Sequence, residues 1–150
     1  MSTATVPAPP LPPRVVADSN VLLAALYGGV RAGAVLKLAR QGTITLCASP
    51  YILDEVARIL AEKFDWALVR IHDSLTALRV YTKIVDTGTH RITVVRDPKD
   101  NPILECARAA HAKYLITGDR DLLTLGTYRR LRIVTIRDFM ALYPLPPDTP

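Results

Sequence analysis

The chain has 150 residues, 49% of them hydrophobic and 22% charged, with 19 Lys and Arg against 14 Asp and Glu for a net charge of +5. That length suits one domain rather than two, and the composition excludes a disordered chain. No apolar run approaches the 18 or so residues of a membrane span, so a membrane protein of that kind is excluded as well.

Residues 1–13 are uncharged and proline-dense, with Pro7, Pro9, Pro10, Pro12 and Pro13, and residues 144–150 repeat the pattern. Both ends read as extended, solvated tails, the first of them disordered. The first tail also lacks the basic start and apolar stretch of a secretory signal. The folded unit is therefore expected over residues 14–143, and because only Asp148 among the charges lies in a tail, its net charge is +6.

Within that unit short β-like runs alternate with helical ones. Arg14–Ala17 reads as a buried strand, and Asp18, Ser19 and Asn20 as a turn and N-cap cluster before a helix from Val21 to Tyr27. Gly28 and Gly29 end that helix; a second spans Arg31–Arg40 and stops at Gly42. Ile44–Cys47 is a strand, and Ser49-Pro50 is an N-cap and N1 pair for a helix reaching Ala61. A helix from Asp65 to Tyr81 and a strand at Lys83–Val85 follow. Asn101-Pro102 opens a helix to His111, Tyr114–Thr117 is a strand, and Asp119–Leu125 a short helix. Arg132–Ile136 and Arg137–Leu142 are the last strand and helix.

Such alternation predicts a parallel sheet covered on both faces, with active groups at the carboxyl ends of the strands. The acids then become informative. Asp18 directly follows the first strand, and Asp119 follows the Tyr114 strand after one glycine, with Asp121 two residues on. Either Asp is also an ordinary helix cap. On the Pro50 helix the apolar stripe is Ile52, Leu53, Val56, Ile59 and Leu60; Glu55 falls at its border, whereas Asp54 and Arg58 point away. Asp100 precedes an Asn101 that can itself cap, and it shares the inward line of Leu104, Ala107 and His111; Asp97 is a weaker candidate in the same turn. An acid facing inward needs backbone N–H groups, a cation or a metal. Four remote segments thus each bring a carboxylate to one end of the sheet. Like charges gathered there need a cation, and hard oxygen donors without His or Cys select Mg²⁺ or Mn²⁺. An acidic pocket in a basic domain suits phosphodiester hydrolysis.

Asp18-Ser19-Asn20-Val21-Leu22-Leu23 resembles the opening motif of PIN domains. Asp97-Pro98-Lys99-Asp100-Asn101 and Thr117-Gly118-Asp119-Arg120-Asp121-Leu122-Leu123 are similar to the family's later acidic motifs. The resemblance covers Arg14 to Leu142 and is strongest to VapC-type toxins of toxin–antitoxin pairs. It implies an α/β/α sandwich with a central parallel sheet and Mg²⁺- or Mn²⁺-dependent cleavage of single-stranded RNA by a metal-activated water. By the same resemblance Asp18, Glu55, Asp100 and Asp119 are the catalytic metal ligands, and Asp121 is an auxiliary one. Asn20 and Thr117 orient them, a cognate antitoxin is the partner, and the chain forms a homodimer. Pro102 departs from the family pattern, where a hydrophobic residue is commoner.

Other features are blander. His72, His90 and His111 have no ligand spacing, Phe64 and Trp66 read as packing or dimer residues, and Cys47 and Cys106 as reduced core thiols of a cytoplasmic protein. Arg120 beside the acidic motif, together with Arg129, Arg130 and Arg132, offers phosphate contacts. Four alternatives stand beside the toxin reading, one of them a phosphoacceptor receiver domain, whose acidic pair ahead of the phosphorylated Asp is not evident here. An RNA-processing nuclease would need no antitoxin, and a silent PIN-like module would bind RNA or protein without cutting. A haloacid-dehalogenase-type phosphatase would need an Asp where Asn20 stands.

Overall fold

The computed structural model describes residues 10–88 and 98–147. In chain order the elements are β1 (Arg14–Ala17), α1 (Ser19–Leu26), α2 (Val30–Arg40), β2 (Thr45–Ala48), α3 (Pro50–Glu62), α4 (Leu68–Val80) and β3 (Thr82–Ile84). After a 3-10 turn at Pro98–Asp100 come α5 (Asn101–Ala109), β4 (Tyr114–Ile116), α6 (Arg120–Leu125), β5 (Thr127–Tyr128), β6 (Leu131–Val134) and α7 (Ile136–Leu142).

One sheet with strand order β3-β2-β1-β4-β6-β5 runs through the molecule, and helices flank it in an α/β/α arrangement. Five strands are parallel, which is why the central ones carry apolar side chains on both faces: Val15, Val16, Leu115 and Ile116 are all sealed. The sheet is not wholly parallel. β5 pairs antiparallel with β6 through a two-residue turn, and two residues are too short a run for periodicity to reveal.

Several boundaries differ from the sequence expectation for local reasons. α1 starts at Ser19, so Asp18 is the N-cap rather than part of a longer turn. α4 starts at Leu68, because Asp65 adopts a positive φ of 54° and Trp66 folds back so that its N–H donates to Leu60 O at 3.0 Å. α5 takes Asn101 as its first residue with Asp100 at the cap, and it closes before His111, which is exposed at φ 52°. Between α1 and α2 the chain turns at Gly28 (φ 97°) and Gly29, where a Cβ would sit 2.9 Å from the Ala24 carbonyl oxygen. At the C-terminal end Leu145 packs against the core, so that segment does more than trail in solvent.

The topology fixes where chemistry can occur. β1 leads through α1 and α2 to β2 on one side, whereas β4 on its other side leads through α6 and β5 towards β6. The strand order therefore reverses between β1 and β4, and the crevice beyond their carboxyl ends is the switch point at which open α/β sheets place ligands. Ala17 pairs with Ile116 there, and the Asp18 N–H donates to the Ile116 carbonyl at 2.9 Å.

Candidate metal centre and active site

β1 delivers Asp18 into this crevice, where it is 6% exposed. Although it occupies the N-cap position of α1, its side chain caps nothing. Its Oδ2 instead accepts from the Thr117 hydroxyl at 2.7 Å, and the Ser19 backbone N–H supplies a second bond. Burial pushes the Asp18 carboxyl above the ordinary carboxylate range. The Thr117 and Ser19 bonds work against that rise, and the charges of Glu55 and Asp119 add to it.

Thr117 ties the two motifs together. It is fully buried just past β4, donates to Asp18, and accepts from the Asp119 N–H at 2.9 Å. Asp119 does cap α6, its Oδ1 accepting from the Leu122 N–H at 3.0 Å. That bond occupies one oxygen, so capping and service to the crevice are compatible.

Glu55 sits where the helical arithmetic puts it. It is half-buried at the border of α3, between the sealed Ile52, Leu53, Val56, Ile59 and Leu60 and the exposed Asp54 and Arg58, the latter paired with Glu62 at 3.1 Å. The helix is aimed by Ser49, whose hydroxyl accepts from the Ile52 N–H at 3.3 Å, with Pro50 at its first position. Glu55 Oε2 accepts from the Ser19 hydroxyl at 2.7 Å. Nothing in the sequence pattern singles out Ser19 beyond the turn except its place immediately after Asp18.

The remaining acids meet Asp119 from α5 and α6. Asp100 is 8% exposed at the N-cap of α5, where its side chain makes no capping bond. Asp100, Asp119 and Asp121 each offer a carboxylate oxygen within 4.8 Å of the others. Asp121 thus belongs to the tight group. Opposite ligands of a Mg²⁺ octahedron are about 4.2 Å apart and those of Ca²⁺ about 4.8 Å, so the trio fits one hard divalent ion, and its all-oxygen donors match that chemistry.

Not every candidate joins. Asn20 is exposed on α1 and, among the described residues, hydrogen-bonds none of the acids. Arg120 is exposed at the start of α6 beside the cluster, whereas Arg129 and Arg130 lie in the β5–β6 turn at the opposite end of the strands. His72 and His111 are exposed and away from the acids; Asp97 and His90 fall outside the described residues.

Residues 14–121 match the family described as PIN domain. No curated protein matches the chain. Among solved structures it is similar to VapBC2 from Rickettsia felis bound to a DNA fragment from their promoter, at 15% identity and a TM-score of 0.58, covering 80% of this chain and 96% of the other. It is also similar to VapC20 of Mycobacterium tuberculosis, described as a Sarcin-Ricin loop cleaving toxin. That match has 15% identity and a TM-score of 0.52 and covers 79% and 98% of the two chains. At that identity the likeness concerns the fold.

Proposed function

The chain belongs to the PIN domain family, and on that premise we propose that it is a metal-dependent endoribonuclease that cleaves single-stranded RNA, the toxin of a toxin–antitoxin pair. The observation that carries this reading is the Thr117 bridge, which locks Asp18 to Asp119 at the switch point while Asp100 and Asp121 close on Asp119. Asp18, Glu55, Asp100, Asp119 and Asp121 would hold Mg²⁺ or Mn²⁺ between them, the last three forming its tightest oxygen group. When bound, such an ion lowers the pKa of a water and stabilises charge on phosphate oxygens.

The chain's own groups arrange the rest. The Thr117 hydroxyl and the Leu122 N–H each occupy one carboxylate oxygen, of Asp18 and Asp119, which fixes the direction of the other. Ser19 does the same for Glu55. Arg120, exposed at the rim, supplies a cation for a substrate phosphate.

The partner reading is supported by likeness to a toxin–antitoxin complex and by a cleft of about 360 Å³ lined by Leu23, Tyr27, Ile59 and Phe64. Leu68, Val69, Val80 and Ile84, exposed on α4 and the edge strand β3, favour a homodimer. A cytoplasmic site of action agrees with two free buried cysteines and with no described helix being long and apolar enough to cross a membrane.

Purified protein is expected to cut single-stranded RNA with Mn²⁺ or Mg²⁺, to stop in EDTA, and to lose at least about 10²-fold in rate in Asp18→Asn, as when one charge-stabilising group is removed. Cleavage that survives Asp18→Asn in a nuclease-free preparation would overturn the assignment. RNA binding without cleavage under any divalent ion would favour a silent binding module.

A further inference from the structure

The second large concavity lies at the other end of the sheet. It encloses about 580 Å³ between the end of α5 and the β5–β6 turn, with Arg108, His111, Arg129 and Arg130 around it and Tyr128 on its wall. Among the described residues no carboxylate lines it and none pairs with these arginines. Such a cluster repels itself unless an anion joins it.

The backbone adds an independent argument. Three described non-glycine residues have positive φ, and two of them, His111 (52°) and Arg129 (56°), line this cleft. Arg129 is the first central residue of a two-residue hairpin, where a positive φ ordinarily selects glycine. A solubility charge needs no such backbone; Arg130 next door provides one without strain. An arginine kept in a left-handed conformation points to a side chain that is used. Arg14 Nη1 also takes the Ala110 carbonyl at 3.1 Å, which removes a negative group left open at the end of α5.

We propose that this cleft binds the phosphate backbone of single-stranded RNA, as a second anchor for the strand that the acidic crevice cuts. The inference rests on the nuclease reading for the identity of that strand. α5 joins the two places, with Asp100 at its cap and Arg108 in its last turn, about 12 Å apart by helical rise. Guanidinium forks match phosphate bidentately, and Tyr128, with the Arg129 guanidinium 5.8 Å from its ring centroid, offers a face to a base. An acidic protein segment would satisfy the charge but has no use for that continuity.

The test is fluorescence anisotropy in EDTA on the Asp18→Asn background, so that binding is read without cleavage. Labelled strands of about 16 and about 4 nucleotides span the range of common single-strand sites. Arg129→Gln with Arg130→Gln is expected to weaken the long strand about tenfold or more and to lower the slope of log affinity against log salt by about 1.4, at 0.7 per lost phosphate contact. The short strand, which reaches both places only when stretched out of its stacked form, changes less. Arg129→Gly is expected to raise the thermal midpoint while weakening the long strand. An unchanged salt slope, or a lower midpoint in Arg129→Gly, overturns the proposal, and so does equal competition by polyglutamate of matched charge, which would identify a protein site. RNA bound through the cleft yet left uncut by the wild-type chain with Mn²⁺ or Mg²⁺ would refute the nuclease reading and leave the anchor standing.

Discussion

Thr117 is the side chain on which most of the site's geometry depends. Its hydroxyl is at once a donor to one acid and an acceptor for the backbone of another, at 2.7 and 2.9 Å, and no solvent reaches it. Thr117→Val keeps the shape and removes both bonds, so two buried polar groups lose their partner. The expected cost is about 1–3 kcal/mol in urea denaturation, and cleavage should fall further than stability because Asp18 loses its fixed direction. Thr117→Ser returns the hydroxyl and should recover most of both. A valine variant of full stability and activity would mean that the bridge positions nothing.

At the scale of elements, α5 links the site to the core. Cys106 on its inner face is sealed and lies close enough to Ser49 and Cys47 to feel both; burial pushes its thiol up to about 12, the Ser49 hydroxyl opposing and Cys47 adding. A thiol whose folded pKa exceeds its unfolded value stabilises the fold below the unfolded value, and that contribution fades as pH rises through the folded one. Stability is therefore expected to decline from about pH 9 towards pH 12, less so in Cys106→Ala once its cavity cost is subtracted. Iodoacetamide at pH 8 should leave both cysteines unmodified in the native protein and label both in urea; rapid native labelling of Cys106 would contradict its burial.

The same elements mark how far sequence reasoning reaches. α3 was legible because thirteen residues carry an unbroken stripe with a Ser-Pro start, enough periodicity to put Glu55 at the border. β1 and β4 were legible as short apolar runs, and with them the placement of Asp18 and Asp119 at one edge. α4 was misplaced by three residues because Asp65, a good cap by type, was overridden by Trp66 turning inward. That Ser19 rather than Asn20 hydrogen-bonds Glu55 has a related cause. Neighbours on one helical turn differ in facing by about 100°, and only the third dimension told which of them met Glu55.

Across the molecule, charge is divided between two poles. Acids crowd the carboxyl ends of the strands, while Arg14, Lys113 and Arg132 begin β1, precede β4 and sit in β6 near the other. The acidic pole is the costlier to assemble, because Asp18 and Asp100 are buried and Glu55 and Asp119 raise the cost of ionising Asp18. A divalent ion that binds only the folded protein relieves that repulsion and stabilises it by mass action, about 2.7 kcal/mol at a hundred times its dissociation constant. For a chain of this size that corresponds to a rise of roughly 5–10 °C in thermal midpoint on adding Mn²⁺, reversed by EDTA. Sodium chloride at equal ionic strength should give much less, since screening acts weakly on buried charges. Asp100→Asn and Glu55→Gln should each shrink the Mn²⁺ shift, and Asp18→Asn should raise the metal-free midpoint by removing the most buried of the repelling charges. A Mn²⁺ shift no larger than that of matched sodium chloride would mean that the acids meet without forming a site, since neutralisation at a distance would then account for all of it.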